Sequence, residues 1–273
     1  MKDNIRVALV QPKPYPSFDD PRNLGHALLL LEKCRGEDLD LVVLPEYFPY
    51  HGEREVAGAA RQLNAYVVAG LVETEGGRTF NTATLFDRSG RLLGRQRKNN
   101  VASLERSDLG IVPGDGSYRA FTADFGRIGM PVAADLWGQP EAARQLTDLG
   151  ADMLVSIGVF PILRGHCRTG ALVRAFDNFI PVVTTNTADY NALIHNRRIH
   201  LHGGHSLVIQ PPKMLDRHDF RRWLRSVDTV DDWVRVELDE LEQIHVAEVN
   251  LSTARRFRKE FWERLGYQRL PSL

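Results

Sequence analysis

Short apolar runs of strand length recur along the chain and alternate with stretches of helical character, and this alternation limits the possible folds more than any other feature. Leu41-Val-Val-Leu44 is the sharpest case: four consecutive apolar residues fit a strand buried on both faces. Ile5–Val10, Tyr66–Leu71, Met153–Ile157, Pro181–Thr185, His205–Gln210 and Ile244–Leu251 read as further strands, as do Tyr118–Phe125 and Ile128–Ala133. Thr79–Phe86 and Leu92–Arg97 are joined by Asp87-Arg-Ser-Gly-Arg, whose Ser-Gly pair signals a hairpin turn. Between the strands, Leu24–Cys34 predicts a mostly buried helix, Glu53–Leu63 a helix rich in Ala and Arg, and Gly170–Asn178 another. Pro140–Leu149 predicts a helix that stops at Gly150. Residues 99–117, with Gly110, Pro113, Gly114 and Gly116, read as a long loop. Strands, hairpins and helices in this order imply an α/β sandwich of sheets covered by helices.

With 273 residues, 43% of them hydrophobic, the chain can bury a large core. Equal numbers of basic and acidic residues give zero net charge, which argues against a nucleic-acid partner. Cys34 and Cys167 are too few for a disulfide framework or a zinc site and read as structural. No apolar run is long enough to span a bilayer and no signal core precedes Ile5, so no membrane partner is expected and a cytoplasmic location is. The segment 211–243 breaks the rhythm: it is charged, carries Trp223 and Trp233, and contains a predicted helix over Asp219–Arg225. A lid, an oligomer contact and a solvated insertion all fit it.

Three strand ends carry the chemistry. Glu46 follows the buried strand Leu41–Leu44 and a proline, where partial desolvation raises a carboxyl pKa towards that of a general base. Lys98 closes Gly94-Arg-Gln-Arg-Lys98, and its compact charge suits an oxyanion. Gly126–Glu141 reads as a strand breaking sharply into a helix, with Ala133 at the elbow and Ala134 offering the next N–H. Tyr47 and Trp137 flank the same region and fit either pocket walls or plain packing. His195, His200, His202 and His205 crowd one stretch, and His200 and His202 share a strand face. No later Asp or His completes a ligand set, so a polar loop beside the pocket is expected rather than a metal site. Gly114-Asp-Gly116 lacks the Lys-Ser/Thr of a phosphate loop, and no cofactor is expected.

The order Glu46, Lys98, then a strand ending two residues before Asp135 and followed by Pro140-Glu141, resembles the nitrilase (carbon–nitrogen hydrolase) superfamily. The resemblance runs from Ile5 to Arg256 and implies a four-layer αββα sandwich, one domain over residues 1–273, and a homodimer or higher homo-oligomer. It implies a Glu–Lys–Cys mechanism acting on a small amide, ureide or nitrile, with Glu46 as base, Lys98 as oxyanion partner, and a supporting acid at Glu105 or Asp108. The family's cysteine position falls on Ala133. Four residues, Leu136 to Gln139, separate Asp135 from Pro140 where the family pattern has three, but the shifted register gives Ala134, also without a thiol. The chain therefore reads as an inactive amidase or carbamoyl amidase, a Cys-to-Ala variant, with a natural pseudoenzyme serving as a binding or scaffold protein as the alternative. A metallohydrolase using His200 and His202 is the outlying third reading.

Overall fold

The computed structural model describes residues 2–159, 164–194, 197–212 and 230–264. The elements run β1 (Asn4–Gln11), α1 (Arg22–Lys33), β2 (Leu41–Val43), β3 (Pro49–Tyr50), α2 (Glu53–Leu63), β4 (Tyr66–Glu75), β5 (Arg78–Phe86), β6 (Leu92–Arg97) and α3 (Ser103–Leu109). They continue with β7 (Ala120–Ala123), β8 (Gly126–Gly129), α4 (Ala134–Trp137), α5 (Pro140–Asp148), β9 (Met153–Ile157), α6 (Arg164–Asn178) and β10 (Val182–Thr185). The last are β11 (Tyr190–Ile194), β12 (Arg197–Leu201), β13 (Leu207–Ile209), a 3₁₀ turn (Val230–Trp233), β14 (Val234–Glu237), β15 (Gln243–Asn250) and α7 (Ser252–Arg264).

Two mixed sheets form the centre. One runs β15-β1-β2-β4-β5-β6 with β3 on β4, and the other runs β14-β13-β10-β9-β8-β7. In the first, β1, β2 and β4 are parallel; in the second, β8, β9 and β10 are. Strand periodicity explains the layering. Val7, Leu9 and Val43 pack against Ile128, Val155 and Val183 of the opposing sheet. Ala8, Val10, Val42 and Leu44 point the other way, towards α1 and α2. On the far side, Leu154, Val182 and Leu207 meet Leu146 of α5 and Ala171 and Ala175 of α6. The order is therefore helix, sheet, sheet, helix, and Leu41–Leu44 is apolar throughout because both of its faces are covered.

Several boundaries differ from the sequence reading. The first helix is amphipathic rather than mostly buried: Leu30 and Leu31 are in the core, but Leu29 is 65% exposed. The loop over 99–117 contains α3, a short helix ended by Gly110 at φ 65°. The sixth helix starts at Arg164, six residues before Gly170. Within the histidine stretch, Arg197–Leu201 with His200 forms a hairpin strand, β12, paired antiparallel with β11, rather than a loop, and His202 and His205 follow it. Of the charged segment 211–243, the helix expected over Asp219–Arg225 lies outside the described residues, whereas Trp233 is buried against Phe176 and Phe179. Among the described residues no helix is long and apolar enough to cross a membrane.

Candidate functional site

Glu46 sits just beyond β2, on the segment that crosses from β2 to β3. The segment passes directly over Gly70 of β4, where a Cβ would meet the Pro45 carbonyl at 2.2 Å and the Tyr47 nitrogen at 2.6 Å. Only a glycine allows this approach, which swings the Glu46 side chain inward. Glu46 is 2% exposed. Its Oε1 accepts from Asn81 Nδ2 (2.6 Å) and Lys98 Nζ (2.8 Å), and its Oε2 from the Val159 N–H (2.8 Å).

Lys98 is fixed at the end of β6, where its N–H bonds to the Asn81 carbonyl and its own carbonyl accepts from Gly114. Its Nζ also donates to Glu105 Oε2 at 2.7 Å. Glu105 stands in the first turn of α3, where Oε2 accepts the Ala102 N–H (2.8 Å), a capping contact that fixes the carboxylate. Its Oε1 accepts from Tyr47 Oη (2.5 Å) and Asn81 Nδ2 (3.1 Å). Asp108, the alternative acid, bonds to Ser107 instead. The result is one buried ammonium between two buried carboxylates.

Burial governs the electrostatics. Desolvation pushes the Glu46 carboxyl above the usual carboxylate range; the Glu105 charge adds to this and Lys98 opposes it. Desolvation acts on Glu105 too, but the Lys98 charge and the hydrogen bonds from Lys98, Tyr47 and Ala102 outweigh it and hold Glu105 low. Burial alone would lower Lys98, yet its two carboxylate neighbours hold it above the ordinary lysine range. The Lys98 and Glu105 shifts favour their charged forms, and that of Glu46 favours its neutral form.

Ala133 stands between the end of the β8 strand region and α4 at φ 45°, ψ −109°, a conformation rare for any residue with a Cβ. Its N–H bonds to the Ile157 carbonyl and the Leu136 N–H returns to its own carbonyl, so the elbow is held from both sides. Asp135 is buried and accepts the N–H groups of Asn99 and Asn100, tying α4 to the segment that follows Lys98. Ala133, Ala134, Trp137, Tyr47, Glu46, Lys98 and Glu105 all line one cavity of about 240 Å³. Phe18, Leu104, Leu109, Ile194 and Leu201 complete its apolar wall. Cys167 lines it as well, and burial followed by the Glu46 charge pushes its thiol up to about 12. Cys34 lies away from the site, in the core under α1.

Sequence reasoning missed Asn81 and the Val159 N–H. Asn81 is a side-chain amide inside the strand Thr79–Phe86, whose other residues are threonine or apolar, and that mismatch is the signal that marks it. His205 bonds to Glu237 and Glu240, and His195 lies outside the described residues. The residue that completes a ligand group with His200 and His202 lies upstream of them, not downstream: Asp189.

The profile of the carbon-nitrogen hydrolase family matches residues 6–212. The chain belongs to this family. It is 28% identical over 202 residues to a nitrilase of Pyrococcus abyssi, covering 67% of this chain and 74% of that protein. It is 25% identical over 233 residues to the omega-amidase of Mus musculus, covering 76% and 81%. Its fold matches that of Saccharomyces cerevisiae Nit3, a member of branch 10 of the nitrilase superfamily, with a TM-score of 0.75, 23% identity and 94% of each chain covered. It also matches a cysteine-to-alanine mutant of the amidase from Nesterenkonia sp. AN1 in complex with butyramide, with a TM-score of 0.73, 19% identity and 95% and 96% coverage. These carbon-nitrogen hydrolases carry the same mixed α/β architecture of sheets flanked by helices.

Proposed function

We propose that the cavity is a site for hydrolysis of a non-peptide C–N bond, of amide or N-carbamoyl type, in which Ala133 stands where the nucleophile belongs. As it stands the chain binds such a compound and does not turn it over. The observation that carries this reading is the shared lining: the Ala133 methyl, on its strained elbow, opens into the same small cavity as Glu46 and Lys98. With a thiol at 133, Glu46 would accept its proton and the thiolate would attack the carbonyl carbon. Lys98 and the Ala134 N–H, the first of α4 and so without an intrahelical partner, would stabilise the oxyanion. The amine would leave with the proton held by Glu46, and water would then cleave the thioester. A methyl group can form no such bond.

The test is Ala133→Cys, assayed for ammonia release from a panel of amides, N-carbamoyl compounds and nitriles. The expected gain over the parent chain is on the order of 10⁶, the scale set by removing a nucleophile from a comparable triad. No release by the folded variant across the panel would overturn the reading. The second reading, a non-catalytic binding protein on this fold, is favoured by the Leu136–Gln139 spacing and by Gln96-Arg-Lys98, where the family pattern has Tyr-Arg-Lys. A cysteine codon at position 133 of the gene decides for the first and an alanine codon for the second.

A further inference from the structure

The β11–β12 hairpin presents two different faces. Tyr190, Ala192, Ile194 and Leu201 point inward and are buried, with Ile194 and Leu201 forming part of the cavity wall. Asn191, His200 and His202 alternate to the outside. The antiparallel register pairs Tyr190 with Leu201 and Asn191 with His200, which sets Asp189 opposite His202, just beyond the paired residues. One carboxylate oxygen and two imidazole nitrogens thereby come within 4.8 Å of one another.

We propose that Asp189, His200 and His202 bind a divalent transition-metal ion of the zinc class on the outer face of this hairpin. His200 and Asp189 are each oriented by a further contact, and the His202 ring lies edge-on to that of His200 at 4.4 Å. Asn191 Oδ1 lies 3.1 Å from His200 Nδ1; with the ring proton on Nδ1, this contact turns Nε2 towards the Asp189 carboxylate as the ligand atom. That Nε2 lies 3.2 Å from Asp189 Oδ2. The other Asp189 oxygen, Oδ1, accepts the Gly203 N–H at 3.3 Å, which reserves Oδ2 as the ligand. The Asp189 N–H is itself bonded to the Glu240 carbonyl. Gly203 packs so tightly on the backbone of Thr187 and Ala188 that a Cβ would meet their carbonyls at 2.3 Å, and this approach keeps His202 beside Asp189.

Two imidazoles and one carboxylate are a zinc-type donor set, with metal bonds of about 2.0–2.2 Å. A tetrahedral ion needs its donors roughly 3.4 Å apart, and rotation of two exposed imidazoles closes the difference. None of the three residues lines the apolar cavity, so the ion would clasp the hairpin from outside and take no part in C–N chemistry.

The experiment is calorimetric titration of ZnCl₂ into the chelator-stripped full chain, prepared without a polyhistidine tag. Binding of one Zn²⁺ per chain in the micromolar range is expected. His200→Ala combined with His202→Ala should weaken it by at least about tenfold, and Asn191→Ala by about tenfold through loss of ring orientation. His205→Ala is the control and should bind as the parent does. Co²⁺ should give the visible absorption of a low-coordinate N/O site in the parent, and Asp189→Asn should diminish it. The Asn191, His200 and His202 side chains are exposed, and thermal melts of the metal-free variants at these three positions should superimpose on the parent. Absence of binding at about 100 times the micromolar range, or unchanged binding in the double-histidine variant, would overturn the proposal.

Discussion

Replacing Lys98 with Met keeps the volume of the side chain and removes the only charge that separates Glu46 from Glu105. Each carboxylate has an oxygen within 2.8 Å of the same Nζ, so those two oxygens are at most about 5.6 Å apart. At an effective dielectric of about 20, two unit charges at that separation repel by about 3 kcal/mol. The general cost of removing one partner from a buried ion pair is about 3–5 kcal/mol, which agrees. For a protein of this size the melting temperature should fall by roughly 6–20 °C at pH 7. The sign of the pH dependence follows from linkage. In Lys98→Met both folded-state carboxyl pKa values lie above the unfolded value of about 4.3, so the penalty is absent below that pH and grows as pH rises. In the parent, Glu105 is held low, so its contribution is present above the unfolded pKa and lost as pH falls through the folded one. Both effects make the gap between parent and variant close as pH drops from 7 towards 4. Thermal and urea unfolding at pH 7, 5.5 and 4.5 measure it. The triple variant Glu46→Gln, Lys98→Met, Glu105→Gln carries no buried charge here and should regain most of the loss. A gap under 1 kcal/mol at pH 7, a gap independent of pH, or a triple variant as unstable as Lys98→Met would refute the reasoning.

Ala133→Gly relieves backbone strain of about 1–3 kcal/mol and loses about 0.8 kcal/mol for the buried methyl plus about 0.4–1 kcal/mol of unfolded-state entropy. The expected net effect by urea unfolding is neutral to slightly stabilising, whereas Ala→Gly in a buried, ordinary conformation destabilises. Gly70→Ala pushes a methyl into the Pro45 carbonyl and should cost at least about 1–3 kcal/mol in a thermal melt, with Glu46 displaced as the strand crossing opens. Cys167, with its thiol pushed up to about 12, should be alkylated by iodoacetamide at pH 7 about a thousandfold more slowly than an ordinary cysteine. Intact-mass spectrometry reads that rate, and Glu46→Gln should raise it by removing the neighbouring charge.

The layers of the fold were legible because they are built from periodicity. Leu41–Leu44 needs two covered faces, and the Asp87–Arg91 turn closes a hairpin through Asp87, which accepts the N–H groups of Ser89 and Arg91. The strand ends carrying Glu46 and Lys98 were legible for the same reason, since one sheet holds both strands, and Ala133 meets them from the facing sheet. What was hidden depends on contacts distant in sequence. Helix α3 spans seven residues amid glycines and prolines, too short for a periodic signal, and it is held in place by the Glu105 contacts to Lys98 and Tyr47. Asp189 joins His200 only through the hairpin register, and a search restricted to downstream residues cannot see it.

The four positions around the cavity differ in what their loss would cost. Glu46, Lys98 and Glu105 are buried charges that satisfy one another; removing any one strands the others in a low-dielectric interior. Asn81 and Tyr47 supply side-chain donors to the same carboxylates, beside the Val159 and Ala102 N–H groups, so they are bound to the same electrostatic unit. Residue 133 is outside that unit. Its backbone N–H and carbonyl make the elbow's hydrogen bonds, and its side chain contributes none. A methyl there leaves no polar group unsatisfied and suits the apolar wall formed by Phe18, Trp137 and Leu201. Loss of any one of these three buried charges therefore costs stability, whereas the side chain at 133 can vary without that cost.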